Sequence, residues 1–333
     1  MSDRAAAKTQ DQDKAERIAK VIARAGLCSR REAEKLIGEG RVAVNGAVLA
    51  TPAFTVTPAD AVTIDGAPLA ARERTRLWLF NKPKGLVTSN RDPEGRTTVF
   101  SALPANLPRV VTVGRLDINT EGLLLLTNDG GLARILELPS TGWLRRYRVR
   151  VHGRVKQADL DRLGKGVTVD RMVYGAVEAN LDREQGANSW LTMGLREGKN
   201  REVKKIVEYL GLTVTRLIRI SYGPFQLGDL ASGAVDEVKS RVLRDQLGRK
   251  LSEAAGTDFD TPARQPEPAA PTEKRQSSKG GAGKQGASKR AAGKRAAGKH
   301  PSTRDAADNK PTGNKPTGKP GAKRGHARRR RSV

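Results

Sequence analysis

One stretch of the sequence decides how the rest of the chain is interpreted: Gly114-Arg115-Leu116-Asp117-Ile118-Asn119-Thr120-Glu121-Gly122. It lies between two apolar runs, residues 110–113 and 123–126, and the second run is four consecutive leucines. Successive leucines leave neither face of a strand polar, so both runs predict strands of a buried sheet. The loop between them can hold one carboxylate, Asp117, and one guanidinium, Arg115, at a sheet edge. Taken alone, the stretch is equally compatible with an ordinary turn.

The charge of the chain indicates a polyanionic partner. Its 333 residues include 62 Lys and Arg against 36 Asp and Glu, a net charge of +26. Residues 250–333 hold 21 of these basic side chains and 7 of the acidic ones, so the preceding part is strongly basic as well. Nucleic acid is favoured over a membrane, because the sequence has no long uncharged apolar run and no basic amphipathic anchor.

Residues that commonly hold metals are scarce. Cys28 is the only cysteine, and the three histidines, His152, His300 and His326, lie far apart. This distribution excludes internal disulfides and argues against a cysteine or histidine metal centre. The charged N-terminus lacks the apolar core of a signal peptide. We therefore expect a cytoplasmic, monomeric protein that uses no metal, no nucleotide and no other cofactor.

Residues 14–71 are predicted to form a small α/β domain. Apolar residues at helical spacing predict a helix over 17–25, and Ser29-Arg30-Arg31-Glu32 has the pattern of a capping box that opens a second helix. A strand then runs into an Asn45-Gly46 hairpin turn. The order resembles the S4-like RNA-binding domain of a small-subunit ribosomal protein. This resemblance implies backbone phosphate contacts by the following residues: Arg17, Arg30, Arg31, Lys35, Arg41 and Asn45. The alternative is that these charges form a merely solvated face.

Residues 75–248 are predicted to form a larger α+β domain. Strands are expected over 77–80, 145–152, 190–195 and 217–222, and short helices over 132–138 and 201–210. Strands outnumber helices without a regular βαβ rhythm, which favours a mixed, mostly antiparallel sheet with flanking helices. The strand 145–152 alternates, with Tyr147 on an apolar face and a basic stripe on the other. The stripe consists of Arg146, Arg148, Arg150 and His152.

Several separated stretches of this domain resemble the RNA pseudouridine synthases of the RsuA/RluB type. The matching stretches are 81–85, 114–117, 120–130, 147–149 and 197–205. Within this type, the segments 200–203 and 216–220 are most similar to the RluB-like branch that modifies large-subunit ribosomal RNA. Together with the N-terminal domain, the resemblance covers residues 14–248 in order.

The resemblance implies that a specific uridine of ribosomal RNA, in free RNA or in a pre-ribosomal particle, is isomerised to pseudouridine. Asp117 matches the essential aspartate, Tyr147 the tyrosine that packs on the flipped base, and Lys204 the basic residue paired with the aspartate. Arg115 matches an arginine that holds the base out of the RNA. Lys82, Lys84 and Arg201 are predicted to contact RNA too. Lys204 and Lys205 depart from the pattern, because arginines are common at these positions.

General chemistry is consistent with these roles. A stacked base cannot reach a protein carboxylate, so it must be flipped, at a cost of a few kcal/mol. A nearby ammonium favours the ionised form of a buried carboxylate. The sequence leaves open whether Asp117 attacks C6, attacks C1′ or removes the C2′ proton. It also leaves open a non-catalytic RNA-binding or ribosome-assembly protein and a tRNA-modifying enzyme as alternatives.

Residues 250–333 are predicted to be a disordered basic tail. Apolar residues become rare there, Ala-Ala-Gly-Lys recurs at 291–294 and 296–299, and the chain ends in an arginine run at 328–331. Such a composition cannot bury a core. We expect this tail to tether the protein to RNA through counterion release, with a merely solubilising role as the alternative.

Overall fold

The computed structural model describes residues 15–262. The predicted tail therefore lies outside the described residues from position 263 onward. Within residues 15–262, the chain forms an N-terminal domain and a larger domain built on one long sheet.

The N-terminal domain packs two helices against short strands. Its elements are β1 Glu16–Arg17, α1 Ile18–Arg24, α2 Arg30–Gly38, β2 Val42–Val44, β3 Ala47–Val48, β4 Thr55–Val56, β5 Val62–Ile64 and β6 Ala67–Pro68. The order β3-β2-β5-β6 forms an antiparallel sheet, and β1 pairs with β4. Both hydrogen bonds of the predicted capping box between Ser29 and Glu32 are present. The hairpin turn has positive φ angles at Asn45 and Gly46, as an Asn-Gly turn requires.

The larger domain follows a charged connector. Its elements are β7 Leu77–Lys82, β8 Val111–Val113, β9 Thr120–Thr127, α3 Gly130–Glu137, β10 Arg145–His152, α4 Gln157–Asp161, β11 Val167–Val169, β12 Met172–Tyr174, β13 Glu178–Gln185, β14 Asn188–Leu195, α5 Glu202–Tyr209, β15 Thr213–Tyr222, β16 Phe225–Gln226, β17 Val235–Glu237 and α6 Ser240–Ala255. The main sheet has the order β13-β14-β10-β15-β9-β7-β17, with β8 paired to β9 and β16 to β15. Its pairs are antiparallel except β9 with β15, which is parallel. The predicted α+β class with a mixed, mostly antiparallel sheet is confirmed.

The leucine run of β9 is buried on both sides, as its sequence predicts. Leu123 and Leu125 pack against α3 and α6, whereas Leu124 and Leu126 pack on the opposite side against Trp78 and other residues of a separate cluster. The four leucines are fully buried. This burial anchors β9 at the centre of the domain, directly after the Asp117 loop.

Gly122 lies inside β9 and not at the end of the loop, where the sequence placed it. Its φ is +97°, and a Cβ atom here would lie 2.3 Å from the carbonyl oxygen of Arg219. The neighbouring β15 is hydrogen-bonded in parallel register at this point. Glycine is therefore required because two backbones approach closely where the strand leaves the loop.

Two predicted boundaries need correction. Helix α6 continues to Ala255 across an interruption at Gly248, and Phe259 packs on the same core. The predicted domain end at 248 therefore falls inside a helix, and a tail cannot begin at 250.

The strand β13 escaped prediction because most of its side chains are polar and exposed, so its sequence lacks an alternating apolar pattern.

Asp129 joins the two domains. Its carboxylate is buried, and it caps α3 by accepting a hydrogen bond from the amide of Gly131 at 2.8 Å. It also accepts hydrogen bonds from Arg24 of α1, at 3.2 Å, and from Arg72 of the connector, at 2.5 Å. The hydroxyl of Thr75 donates a further bond at 3.0 Å. One carboxylate thus holds the N-terminal domain, the connector and α3 together.

No helix between residues 15 and 262 is long and apolar enough to cross a lipid bilayer. The cytoplasmic location and the monomeric state stay predictions from the sequence.

Candidate active site

A cavity of about 700 Å³ lies beside the central strands β10 and β15. Its walls come from the loop before β9, from β10 and β15, and from the segment that leads into α5. The cavity brings together several residues that the sequence analysis selected separately: Arg115, Asp117, Tyr147, Arg201 and Lys204.

Asp117 and Lys204 form an ion pair at this cavity. The Nζ of Lys204 donates to Oδ2 of Asp117 at 2.8 Å, although 87 residues separate them in the sequence. The Lys204 side chain is 15% exposed and the Asp117 side chain 37% exposed. The second carboxylate oxygen, Oδ1, has no hydrogen-bond donor among the residues that the structure describes. The carboxylate is thus held from one side and accessible from the other.

The loop that carries Asp117 is held by hydrogen bonds from the buried amine of Lys82. The Lys82 amine donates to the carbonyl oxygens of Asp117, Ile118 and Thr120 at 3.3, 3.4 and 3.0 Å, and to that of Pro83 at 3.1 Å. Burial lowers the pKa of Lys82 to about 8, although the nearby carboxylates of Asp117 and Glu121 act in the opposite direction.

The predicted RNA contact by Lys82 is therefore corrected. Its side chain is 0% exposed and all of its contacts are within the protein. A buried amine requires several acceptors, and the loop carbonyls supply them. Lys84, two residues later, is exposed and stays available to a ligand.

Tyr147 and Arg115 differ in how firmly they are held. Tyr147 is half-buried and its ring packs against two core clusters, so its orientation toward the cavity is fixed. Arg115 is exposed on the loop beside Asp117 and can reach outward. Tyr147 is therefore a fixed part of the cavity wall, whereas the Arg115 guanidinium is free to change position.

The predicted RNA-binding residues of the N-terminal domain do not line the cavity. Arg17, Arg30, Arg31 and Lys35 are exposed. Two others are engaged within the domain: Arg41 makes a bidentate ion pair with Asp65 at 2.8 and 2.6 Å, and Asn45 bonds Asp60 and the amide of Ala61. The bonds of Asn45 give this residue a structural role in the hairpin that does not depend on RNA.

Three residues of the cavity wall have no predicted role from the sequence: Arg145, Arg219 and Tyr222. Arg145 is buried and donates to the carbonyls of Arg196 and Glu197 at 2.9 and 2.6 Å and to the Tyr222 hydroxyl at 2.9 Å. Arg219, also buried, donates to the carbonyl of Leu123 at 2.7 Å. Both guanidiniums lie over the Tyr222 ring. A signal was present, because Arg145 shares the alternation of Tyr147 and Arg219 interrupts an apolar strand.

The turn before α5 places two charged residues at the cavity. Arg201 adopts a left-handed conformation with φ of +52°, which is uncommon for a residue other than glycine. Glu202 is buried and accepts a hydrogen bond from the amide of Lys199 at 3.2 Å, which closes this turn. Burial raises the pKa of Glu202 to about 7. Between residues 15 and 262, no group of three or more His, Cys, Asp or Glu side chains is arranged to hold a metal ion.

Comparison with known proteins identifies the family. Residues 76–209 match the model of the RNA pseudouridylate synthases, and residues 16–62 match the S4 domain. An RNA pseudouridine synthase of Rickettsia felis is 45% identical over 228 residues, which cover 68% of this chain and 99% of the relative. The ribosomal large subunit pseudouridine synthase B of Pseudomonas aeruginosa is 42% identical over 245 residues, covering 71% of this chain and 63% of that protein.

A solved structure supports the fold. The crystal structure of a pseudouridylate synthase superposes with a TM-score of 0.50 at 23% identity, covering 69% of this chain and 99% of that one. The family expected from the sequence motifs, its enzymatic nature and the N-terminal RNA-binding domain are confirmed. The chain belongs to the RNA pseudouridine synthases and is an isomerase that acts on RNA.

Proposed function

We propose that this enzyme converts a uridine of large-subunit ribosomal RNA to pseudouridine and that Asp117 acts on the nucleotide. The observation that carries the proposal is the ion pair of 2.8 Å between Lys204 and Asp117 at a cavity also lined by Tyr147 and Arg115. The choice of RNA rests on the relative from Pseudomonas aeruginosa, which is named for the ribosomal large subunit.

The reaction exchanges one glycosidic bond for another. The bond between N1 and C1′ breaks, a bond between C5 and C1′ forms, C5 loses its proton to solvent and N1 gains one. Reactant and product have the same oxidation level. The isomerisation therefore needs no outside oxidant or reductant.

The geometry of Asp117 suits a group that acts on a nucleotide. Lys204 holds Oδ2, so Oδ1 faces the ligand without competition from another donor in the described part of the chain. The Lys82 amine fixes the peptide carbonyls of the same loop. Because Lys82 holds the loop backbone and Lys204 holds the carboxylate, Asp117 is preorganised before the substrate binds.

Base flipping completes the proposal. A uridine inside an RNA helix must leave its stack to reach Asp117, which requires a few kcal/mol. Arg115, exposed beside Asp117, fills the vacated position, since a guanidinium stacks on bases and does not lose its charge. Tyr147 offers the flipped uracil a flat ring that the core holds in place.

The N-terminal domain supplies affinity in this proposal. Its helix α2 presents Arg30, Arg31 and Lys35 to solvent, and the Asp129 junction fixes the domain to the catalytic part. Contacts of these side chains with phosphates orient the RNA without selecting its sequence.

The test is a map of pseudouridines in all stable RNAs of a deletion strain. We expect one or a few positions of large-subunit ribosomal RNA to revert to uridine, and we expect a plasmid copy of the gene to restore them. A copy encoding Asp117→Asn should not restore them despite equal protein abundance. Loss of modification in tRNA or small-subunit RNA alone would contradict the proposed substrate, and rescue by Asp117→Asn would contradict the role of Asp117.

A further inference from the structure

One half of the main sheet has a face that no helix of the described chain covers. On this side, the α3 and α6 helices pack on β7, β8 and β9 and on Tyr222 at the end of β15. On β10, Arg146 and Arg148 are exposed, whereas Val149 and Val151 point to the core on the opposite side. The basic stripe singled out in the sequence therefore lies on an open surface, away from the cavity side of Tyr147.

The strand register shows which residues share this surface. Arg150 lies directly between Trp190 of β14 and Arg216 of β15, because both are its Cα partners. We call this surface the arginine face and define it by Arg146, Arg148, Arg150, Trp190 and Arg216. Residues at i and i+2 of a strand are about 6.8 Å apart, so the three guanidiniums of β10 form a row.

Part of this positive charge has no counter-charge. Arg146 pairs with Glu178 at 3.7 Å, and Arg216 pairs with Glu121 at 2.8 Å. No ion pair among residues 15–262 involves Arg148 or Arg150.

Arg148 stacks on an aromatic ring, whereas a buried nitrogen of Arg150 has no hydrogen-bond partner in the described residues. The Arg148 guanidinium lies 4.9 Å from the centre of the Trp190 ring. The Nε of Arg150 is buried without a hydrogen-bond partner in the described chain. Like charges on adjacent positions of one sheet face repel, so an anion that binds across the row would stabilise the arrangement.

We propose that the arginine face is a second RNA-binding surface, separate from the cavity, that contacts the phosphodiester backbone of the substrate RNA beyond its target nucleotide. Guanidinium groups bind phosphates in bidentate fashion, and the Arg148–Trp190 pair offers a flat surface to a neighbouring base. RNA is favoured over an acidic protein segment because the enzyme acts on RNA. An RNA longer than the segment held in the cavity can extend around the same domain.

This surface contributes affinity and leaves the chemical step unchanged. Its guanidiniums lie on the side of β10 opposite Tyr147, so they do not touch the reacting nucleotide. The inference rests on RNA as the substrate and is independent of which uridine is modified. A failed test would therefore leave the proposed reaction and its target untouched.

The test compares two double variants of the full-length chain. Arg148→Gln/Arg150→Gln removes two charges from the arginine face, and Arg162→Gln/Arg249→Gln removes two from exposed sites elsewhere, where the side chains are 81% and 90% exposed. Binding of a 60-nucleotide oligouridylate is measured from 50 to 300 mM salt. Loss of two phosphate contacts should reduce the slope of log K against log salt by about 1.4 and weaken binding about 25-fold at 0.1 M salt. The control should match wild type.

Two further readouts locate the effect. Photo-crosslinking with 4-thiouridine RNA should label Trp190 within the tryptic peptide 184–196 of the wild type and lose this label in the Arg148→Gln/Arg150→Gln variant. The rate of pseudouridine formation at saturating RNA should be unchanged. Equal salt slopes for the two double variants together with no label at Trp190 would overturn the proposal. If, in addition, only the Arg148→Gln/Arg150→Gln variant lost binding to poly-glutamate, the face would belong to an acidic protein partner.

Discussion

The junction at Asp129 gives a sharp prediction, because one substitution separates its charge from its shape. Asp129→Asn retains the size of the side chain and a good helix N-cap, so α3 still begins correctly. The change removes the negative charge that faces Arg24 and Arg72. Loss of one partner from a buried ion pair costs about 3–5 kcal/mol when the other charge stays buried and unpaired. Here Arg24 keeps its ion pair with Glu16 at 2.9 Å, which offsets part of that cost.

The exposures of the two arginines set the magnitude within that range. Arg24 and Arg72 are 11% and 26% exposed, so water compensates part of the loss. We therefore expect the free energy of unfolding to fall by about 3 kcal/mol, which lowers Tm by roughly 6–12 °C for a protein of this size. Hydrogen exchange should rise in α1 and in the connector before it rises in β9, since these segments depend on the carboxylate.

The control is Asp260→Asn, the same substitution in an exposed ion pair. Asp260 pairs with Arg244 at 2.7 Å, but the two side chains are 91% and 54% exposed. Such pairs contribute about 0–1 kcal/mol, so Tm should hardly change. If thermal and urea denaturation gave the same stability for both variants, with unchanged exchange in α1, the argument that Asp129 holds the domains together would be refuted.

Three further predictions concern the cavity. Lys204→Met should reduce the rate of pseudouridine formation about 100-fold with little change in RNA affinity, because Asp117 loses the group that orients it. Lys204→Arg should recover most of the rate. Equal rates for wild type and Lys204→Met would contradict the orienting role of Lys204. Lys82→Met should lower the free energy of unfolding by about 1–3 kcal/mol in urea denaturation and also slow the reaction, because the loop carbonyls lose the buried amine that links them. The exposed Lys84→Met is the control for stability, and equal stability of the two variants would count against the anchoring role of Lys82. Glu202→Gln should stabilise the protein more at pH 8 than at pH 5, by about 2–3 kcal/mol, because burial raises the folded pKa of Glu202 to about 7 and the wild type loses stability as pH rises from 4.5 to 7. Urea denaturation of wild type and variant at both pH values measures this difference, and the same stability difference at pH 5 and pH 8 would refute it.

Short sequence patterns predicted the structural features that depend only on neighbouring residues. The sequence patterns of the β9 leucines, the capping box at Ser29 and the Asn45-Gly46 turn each span only a few residues, and all three features are present in the structure. The alternation of 145–152 matched β10 residue by residue. The Asp117–Lys204 pair came from the family resemblance, because no local pattern links positions 87 residues apart.

The features that escaped prediction depend on distant partners. Lys82 resembles a surface cation in sequence, and only the fold shows the loop carbonyls that bury it. The role of Asp129 has no local signal, because Arg24 lies 105 residues away along the chain. The predicted domain end at 248 falls short of Ala255, the last buried position of α6, because Gly248 interrupts the helix before it. In each case, tertiary contacts outweigh the local signal.

The most direct test of the central claim is a single-turnover assay of Asp117→Asn with purified RNA substrate. The substitution keeps the shape of the side chain and removes the charge that Lys204 binds. If Asp117 acts on the nucleotide, RNA affinity will stay within a few-fold of wild type while no pseudouridine forms. Pseudouridine formation at a rate close to that of wild type would contradict the account.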